Sequence, residues 1–298
     1  MKRLLYALPG NEALTAQLAS ELDADVGELE IRHFPDGEVY VRALTSPEGR
    51  RAILVATLAR PDQVFLPLAF TADLLRDLGA VDVGLVAPYL AYMRQDQRFK
   101  PGEAITSVPF ARMISKTVNW LVTVDPHLHR RQNLAEIYSI PALPVHAAAS
   151  IGRWLNDNLD NIVLVGPDSE SRQWVKAVAD IAGAPFIVLE KIRRGDRDVE
   201  ISVPDADRWR DRTPVLVDDI ISTARTMIET VEHLKQADMK PAVCIGVHAV
   251  FTPGAFEELK KAAVADIVTC NSVPHASNII DLSALIAAGI ETLQIGTR

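Results

Sequence analysis

Asp218 and Asp219 close the apolar run Pro214-Val-Leu-Val, and Ser222, Thr223 and Thr226 follow within eight residues, with Ala224 and Arg225 between them. Loop hydroxyls and backbone N–H groups at the start of a helix form a cradle for a phosphate monoester. A carboxylate pair just before such a cradle can hold ribose hydroxyls or orient metal-bound water. The same spacing also suits a plain helix cap by Ser222 or Thr223. Polar residues follow other apolar runs in the same way: Pro88-Tyr89, Asp125-Pro126-His127 and Pro167-Asp168. Ligands of open α/β sheets bind beyond the carboxyl ends of the strands. Carboxylates and an imidazole gathered in such places point to a hard, oxygen-liganded cation bound with phosphates, which fits Mg²⁺.

Short β-branched runs must position these groups. They fall near residues 4–8, 52–57, 82–87, 120–124, 162–166, 186–189, 215–217 and 243–250. Amphipathic stretches at 11–22, 64–78, 169–181 and 226–236 lie between them. Continuously apolar strands separated by helices predict an α/β fold with mostly parallel sheets covered on both faces. The alternation restarts near His146, which predicts two tandem domains, 1–145 and 146–298. Residues 199–203, set off by a charged turn, predict an extra hairpin outside the alternation.

Composition narrows the class. With 298 residues, 48% of them hydrophobic, the chain can fill two domain cores. A net charge of -8 argues against a nucleic-acid footprint, while local clusters of Arg and Lys still allow phosphorylated substrates. No apolar run reaches the roughly 20 residues of a membrane helix, and the N-terminal apolar stretch is too short for a secretory signal. Cys244 and Cys270 lie far apart in apolar segments and read as reduced core thiols, which predicts a cytoplasmic protein.

The 214–227 segment resembles the phosphoribosyl-diphosphate loop of the type I phosphoribosyltransferase fold: an apolar strand, two acids, then a Thr-Gly-Gly-Thr-like turn. Asp218, Asp219, Thr223 and Thr226 match, while Ala224-Arg225 stands where Gly-Gly is usual. Glycines there allow positive φ and close approach to phosphate. Arg225 either supplies a charge-assisted contact to the 5-phosphate or narrows the site.

Further segments resemble the ribose-phosphate pyrophosphokinase family, in order along the chain. Phe34-Pro-Asp36-Gly-Glu38 is similar to its adenine-recognition segment, although Pro-Asp-Gly by itself is an ordinary turn. Arg94-Gln95-Asp96, with Arg98 and Lys100 before Pro101-Gly102, resembles its Arg-Gln-Asp segment and the mobile loop after it. Asp125-Pro-His127 resembles its metal segment, with His129 as a second candidate imidazole. Gly166-Pro-Asp168 resembles its Pro-Asp segment, and Lys191-Ile-Arg193 its Lys-x-Arg at a hairpin base. The loop wording Phe-Lys-Pro-Gly-Glu-Ala-Ile is closer to the archaeal-type branch than to the phosphate-activated one.

The resemblance implies two phosphoribosyltransferase-like domains in a homo-oligomer, with ATP sites at subunit interfaces. ATP and ribose 5-phosphate would be the substrates and Mg²⁺ the metal, near His127 and Asp168. Phe34, Asp36, Glu38, Arg94, Gln95, Asp96 and Lys100 would serve ATP. The loop 218–226 would hold ribose 5-phosphate, and Lys191 and Arg193 would be the catalytic cations. The competing expectations are a phosphoribosyltransferase that consumes the product, and a regulatory paralogue that has kept the fold and lost turnover.

Overall fold

A computed structural model describes residues 2–128, 130–168, 171–193, 199–202, 204 and 206–295; the side chains at 190–193, 199–202 and 294–295 lie outside that description. The chain divides into two units. The first holds Met1–His146, Ser272–Pro274 and Leu282–Arg298, and the second Ala147–Asn271 with His275–Asp281.

The first unit runs β1 (Arg3–Ala7), α1 (Glu12–Glu21), β2 (Asp25–Gly27), the hairpin β3 (Leu29–His33) and β4 (Val39–Ala43), then β5 (Arg51–Val55) and α2 (Pro61–Asp77). It continues with β6 (Asp82–Ala87), α3 (Ser107–Thr117), β7 (Trp120–Val124) and β8 (Ala142–Val145). Six of these strands form one sheet in the order β2-β1-β5-β6-β7-β8, with every neighbour parallel.

The second unit runs α4 (Ala148–Asn158), β9 (Ile162–Gly166), α5 (Arg172–Ala182), β10 (Phe186–Val188), the hairpin β11 (Glu190–Arg193) and β12 (Val199–Ser202), α6 (Ala206–Trp209) and β13 (Thr213–Ile221). Then come α7 (Arg225–Gln236), β14 (Val243–Ala249), α8 (Ala255–Lys261), β15 (Asp266–Cys270) and β16 (Asn278–Ile280). Its sheet order, β10-β9-β13-β14-β15-β16, is again all parallel. The two units thus repeat one winding, in which the second strand lies outside the first and an antiparallel hairpin precedes the third.

Burial explains the sheets. Every residue of β7 and β9 is buried, as parallel strands covered on both faces require. Truncating a fully buried leucine of the β7 sheet, such as Leu54 or Leu85, to Ala costs about 2–5 kcal/mol. Helix α7 buries Met227, Thr230, Val231 and Leu234, the i, i+3, i+4, i+7 stripe of a helix with one covered face. Gly84 is there for space: a Cβ would stand 1.9 Å from the Trp120 ring.

The last helix, α9 (Ser283–Ile295), returns to the first unit and packs on α1, β7 and β8. A division into 1–145 and 146–298 leaves out this return. The cause is a close fit rather than a local signal: Gly289 sits where a Cβ would be 2.6 Å from a Val145 methyl. The expected extra hairpin at 199–203 is present as β11–β12, with Val203 outside the described residues.

Candidate active site

The second unit carries the segment expected to cradle a phosphate. β13 runs past Asp218 and Asp219 to Ile221, and Ser222, Thr223 and Ala224 lead into α7. The cap position of α7 is Ala224, at φ 57° and ψ 4°, and no side chain caps the helix. Ser222 and Thr223 are therefore not caps, and the first-turn N–H groups of α7 face a junction without a built-in acceptor. Such a helix end, with its partial positive charge, attracts an anion. Ala224 is 5% exposed and takes the left-handed conformation that a glycine would adopt at less cost. Thr223, Arg225 and Thr226 are exposed, and Ser222 holds the loop by accepting the Thr252 N–H through its carbonyl at 3.1 Å.

The acid pair sits directly before this cradle. Burial, then the charge and hydrogen bond of Asp219, then the charge of Asp168, push the Asp218 carboxyl up to about 8, against the opposing effect of the Asp219 backbone N–H. Asp168 thus belongs to the same electrostatic cluster, because β9 and β13 are sheet neighbours whose carboxyl ends lie together. The Asp168 turn is tied by Ser171, whose N–H donates to Oδ1 at 3.1 Å and whose hydroxyl donates to the carbonyl at 2.7 Å. Gly166 makes room for that turn, since a Cβ would meet Ser171 Oγ at 2.6 Å. Ser169 and Glu170 lie outside the described residues.

Lys191 and Arg193 stand on β11, paired with Ile201 and Val199 of β12. Their side chains lie outside the described part.

The first unit carries the remaining candidates. Phe34, Asp36 and Glu38 form the exposed tip of β3–β4, closed by Phe34 N–H to Glu38 O at 2.8 Å and Gly37 N–H to Phe34 O at 2.9 Å. Asp36 Oδ1 accepts the Glu38 N–H at 3.2 Å. Behind the tip, the Arg32 guanidinium lies 4.7 Å from the Phe34 ring centre and 4.2 Å from that of Tyr40. Arg32 and Tyr40 went unnoticed in the sequence. Their signal was the hairpin register itself, which pairs them directly across the strands.

The loop after β6 is held by its own middle residues. Gln95 Oε1 accepts the Thr106 hydroxyl at 3.1 Å, and Asp96, its side chain 3% exposed, accepts Arg130 Nη1 at 3.1 Å. Arg131 Nη2 reaches the Asp96 carbonyl and Ser107 Oγ, both at 3.4 Å. The Glu103 carboxylate gathers the N–H groups of Phe99 and Lys100 at 2.8 and 2.9 Å. Gln95 and Asp96 therefore shape the loop, and Arg94 and Lys100 remain exposed as its cations. Arg130 and Arg131, which complete this arrangement, were missed because 34 residues separate Arg130 from its carboxylate.

His127 lies beyond β7 in a tight turn, where its N–H donates to Asp125 O at 2.8 Å. Asp125 and His127 both have positive φ, 33° and 54°. His129 lies outside the described residues. Among the described residues, no three His, Cys, Asp or Glu side chains converge into a cage for a metal. Mg²⁺ needs no such cage, being bound by one or two carboxylates together with waters and substrate phosphates. The Asp168 carboxylate, whose charge is felt at the Asp218–Asp219 pair, fits such a role.

Comparison with known proteins agrees with this geometry. Residues 4–117 match the N-terminal domain of ribose phosphate pyrophosphokinase, and residues 133–286 match the phosphoribosyl transferase domain. A ribose-phosphate pyrophosphokinase of Methanopyrus kandleri is 33% identical over 94% of this chain and 96% of its own length. Another, from Methanosarcina acetivorans, is 31% identical over 96% of this chain and 98% of its own. The crystal structure of phosphoribosylpyrophosphate synthetase from Mycobacterium smegmatis superposes with a TM-score of 0.85 over 99% of this chain and all of that one, at 22% identity, and shows the shared fold. With both halves matched and full-length relatives above 30% identity, the chain belongs to the ribose-phosphate pyrophosphokinase family.

Proposed function

We propose that the chain transfers the β,γ-diphosphoryl group of ATP to the 1-hydroxyl of ribose 5-phosphate, giving phosphoribosyl diphosphate and AMP. The uncapped N-terminus of α7 behind Asp218 and Asp219 carries this reading, in a chain related along its whole length to ribose-phosphate pyrophosphokinases.

Ribose 5-phosphate is held by its phosphate at Ser222, Thr223, Thr226 and the α7 N–H groups, with Arg225 exposed beside them. Asp218 and Asp219 hold the ribose hydroxyls, with burial and the Asp219 charge favouring a proton on Asp218 in the empty site. Adenine stacks on Phe34, backed by Arg32, with Asp36 and Glu38 at its edge. The 1-hydroxyl attacks the β-phosphorus and AMP leaves. This chemistry asks mainly for in-line positioning and charge neutralisation. Lys191, Arg193, Arg94 and Lys100 stabilise charge on the transferred group, and the 97–106 loop excludes water.

Asp168 would hold Mg²⁺ together with the phosphates, and His127 would contact the metal-bound polyphosphate directly or through water. When bound, the ion neutralises and orients phosphate oxygens.

The exposed Phe34 tip supports a homo-oligomer in which the nucleotide site is completed by a second subunit. Cys244 and Cys270 are both buried and neither forms a disulfide, with burial pushing the Cys244 thiol up to about 12, which supports a reducing, cytoplasmic setting. No described helix is long and apolar enough to cross a membrane.

AMP release from ATP, dependent on ribose 5-phosphate and Mg²⁺ and independent of any nucleobase, is the test. Lys191→Ala lowers the rate about a hundredfold or more if the assignment holds. Undiminished turnover in that variant removes Lys191 from the mechanism, and a requirement for nucleobase overturns the reaction class.

A further inference from the structure

Asp125 directly follows β7, in the position from which parallel sheets present groups to a ligand. Its carboxylate is nearly covered, at 6% side-chain exposure, and its Oδ1 lies 2.8 Å from Nδ1 of His146, whose ring stays 67% exposed. His146 follows directly on β8, the strand beside β7, and the Asp125 N–H donates to Val145 O at 3.0 Å. Two neighbouring strand ends are thus joined by one backbone and one side-chain bond. Between Asp125 and His127 the chain runs through Pro126 with left-handed backbone on both sides, a conformation that persists only where its surroundings hold it. An ion pair with so exposed a partner adds little to global stability. Its effect is local: it fixes one carboxylate rotamer and, through it, one turn.

We propose that His146 is a positioning residue: by donating Nδ1–H to Asp125 it holds the Asp125-Pro126-His127 turn, and so presents the His127 imidazole to the polyphosphate. The hydrogen bond to Asp125 favours the protonated ring, burial opposing it. This inference rests on the role given to His127 under Proposed function.

The test is a cycle of His127→Ala and His146→Phe, alone and together, with His146→Asn as the conservative variant. Phe keeps the ring volume without a donor, and Asn keeps a donor near the place of Nδ1. His146→Phe is expected to lower kcat about tenfold with the KM for ribose 5-phosphate unchanged, because that substrate is held by the other unit. His146→Asn should stay within about threefold of the parent, and His146→Phe should cost nothing further in the His127→Ala background. Parent-like kcat in the Phe variant, equal loss in Asn and Phe, or independent losses in the double variant would each overturn the role of His146. Full activity in His127→Ala points elsewhere: it removes the underlying role of His127.

Discussion

The backbone N–H of Asp219 donates to Oδ1 of Asp218 at 2.9 Å, so one acid of the pair partly solvates the other. That bond lowers the Asp218 pKa, but burial and the charge of Asp219 outweigh it and lift the group from 3.8 to about 8. In the fold Asp218 therefore keeps a proton that the unfolded chain has already released between those values. The unfolded state binds fewer protons there, so stability falls as pH rises through that window. Without ligands, Asp218→Asn should raise Tm over the parent by several degrees near about pH 9 and by little near about pH 4, read by thermal unfolding. An equal shift at both ends would show that Asp218 titrates as an ordinary carboxylate.

Phe34 stands at a hairpin tip with Arg32 against it. Stacking of a base on such a ring contributes about 1–3 kcal/mol, so Phe34→Ala should raise the KM for ATP about tenfold or more and leave that for ribose 5-phosphate alone. Arg32→Ala should move the same constant in the same direction by a smaller factor. Initial rates with each substrate varied in turn decide the matter.

Ala224 combines positive φ with a buried methyl. A β-branched side chain at that φ is strained, so Ala224→Val should cost about 2 kcal/mol or more and abolish saturation by ribose 5-phosphate. Ala224→Gly trades relief of strain against greater freedom of the unfolded chain and should stay within about 1 kcal/mol of the parent. Denaturant titration of the two variants separates them.

Asp96 anchors the 94–107 loop to Arg130. Asp96→Ala removes the buried carboxylate that Arg130 grips, and should make the loop the first site of tryptic cleavage, at Arg98. Mass spectrometry of early digests checks this. An unchanged cleavage pattern would mean that Gln95 and Glu103 suffice.

The two sheets were legible in the sequence because strands buried on both faces leave unbroken apolar runs, as at 120–124 and 162–166. The strand–acids–hydroxyls–helix order at 214–227 was legible because these parts follow one another in the chain. The hairpin β3–β4 was not, since its half-buried strands Leu-Glu-Ile-Arg-His and Val-Tyr-Val-Arg-Ala carry charges and reach the core through Leu29, Ile31 and Ala43. The return of α9 to the first unit, the grip of Arg130 on Asp96 and the bond from His146 to Asp125 are all non-local. No spacing within a segment encodes them.

The repeated winding has one more consequence. The junction after the third strand occurs twice, once before α7 and once before α2. Before α7 it is a receptacle. Before α2 it is stoppered by the protein itself: the Thr57 N–H is donated to Asn11 Oδ1 at 2.9 Å, and its hydroxyl to the carbonyl of Ser272 at 2.8 Å. The valences that would greet an anion in one half are spent in the other on a keystone, and a segment 215 residues downstream sets it. The same architecture thus leaves an uncapped helix end open in one half and makes a clasp for the returning end of the chain in the other.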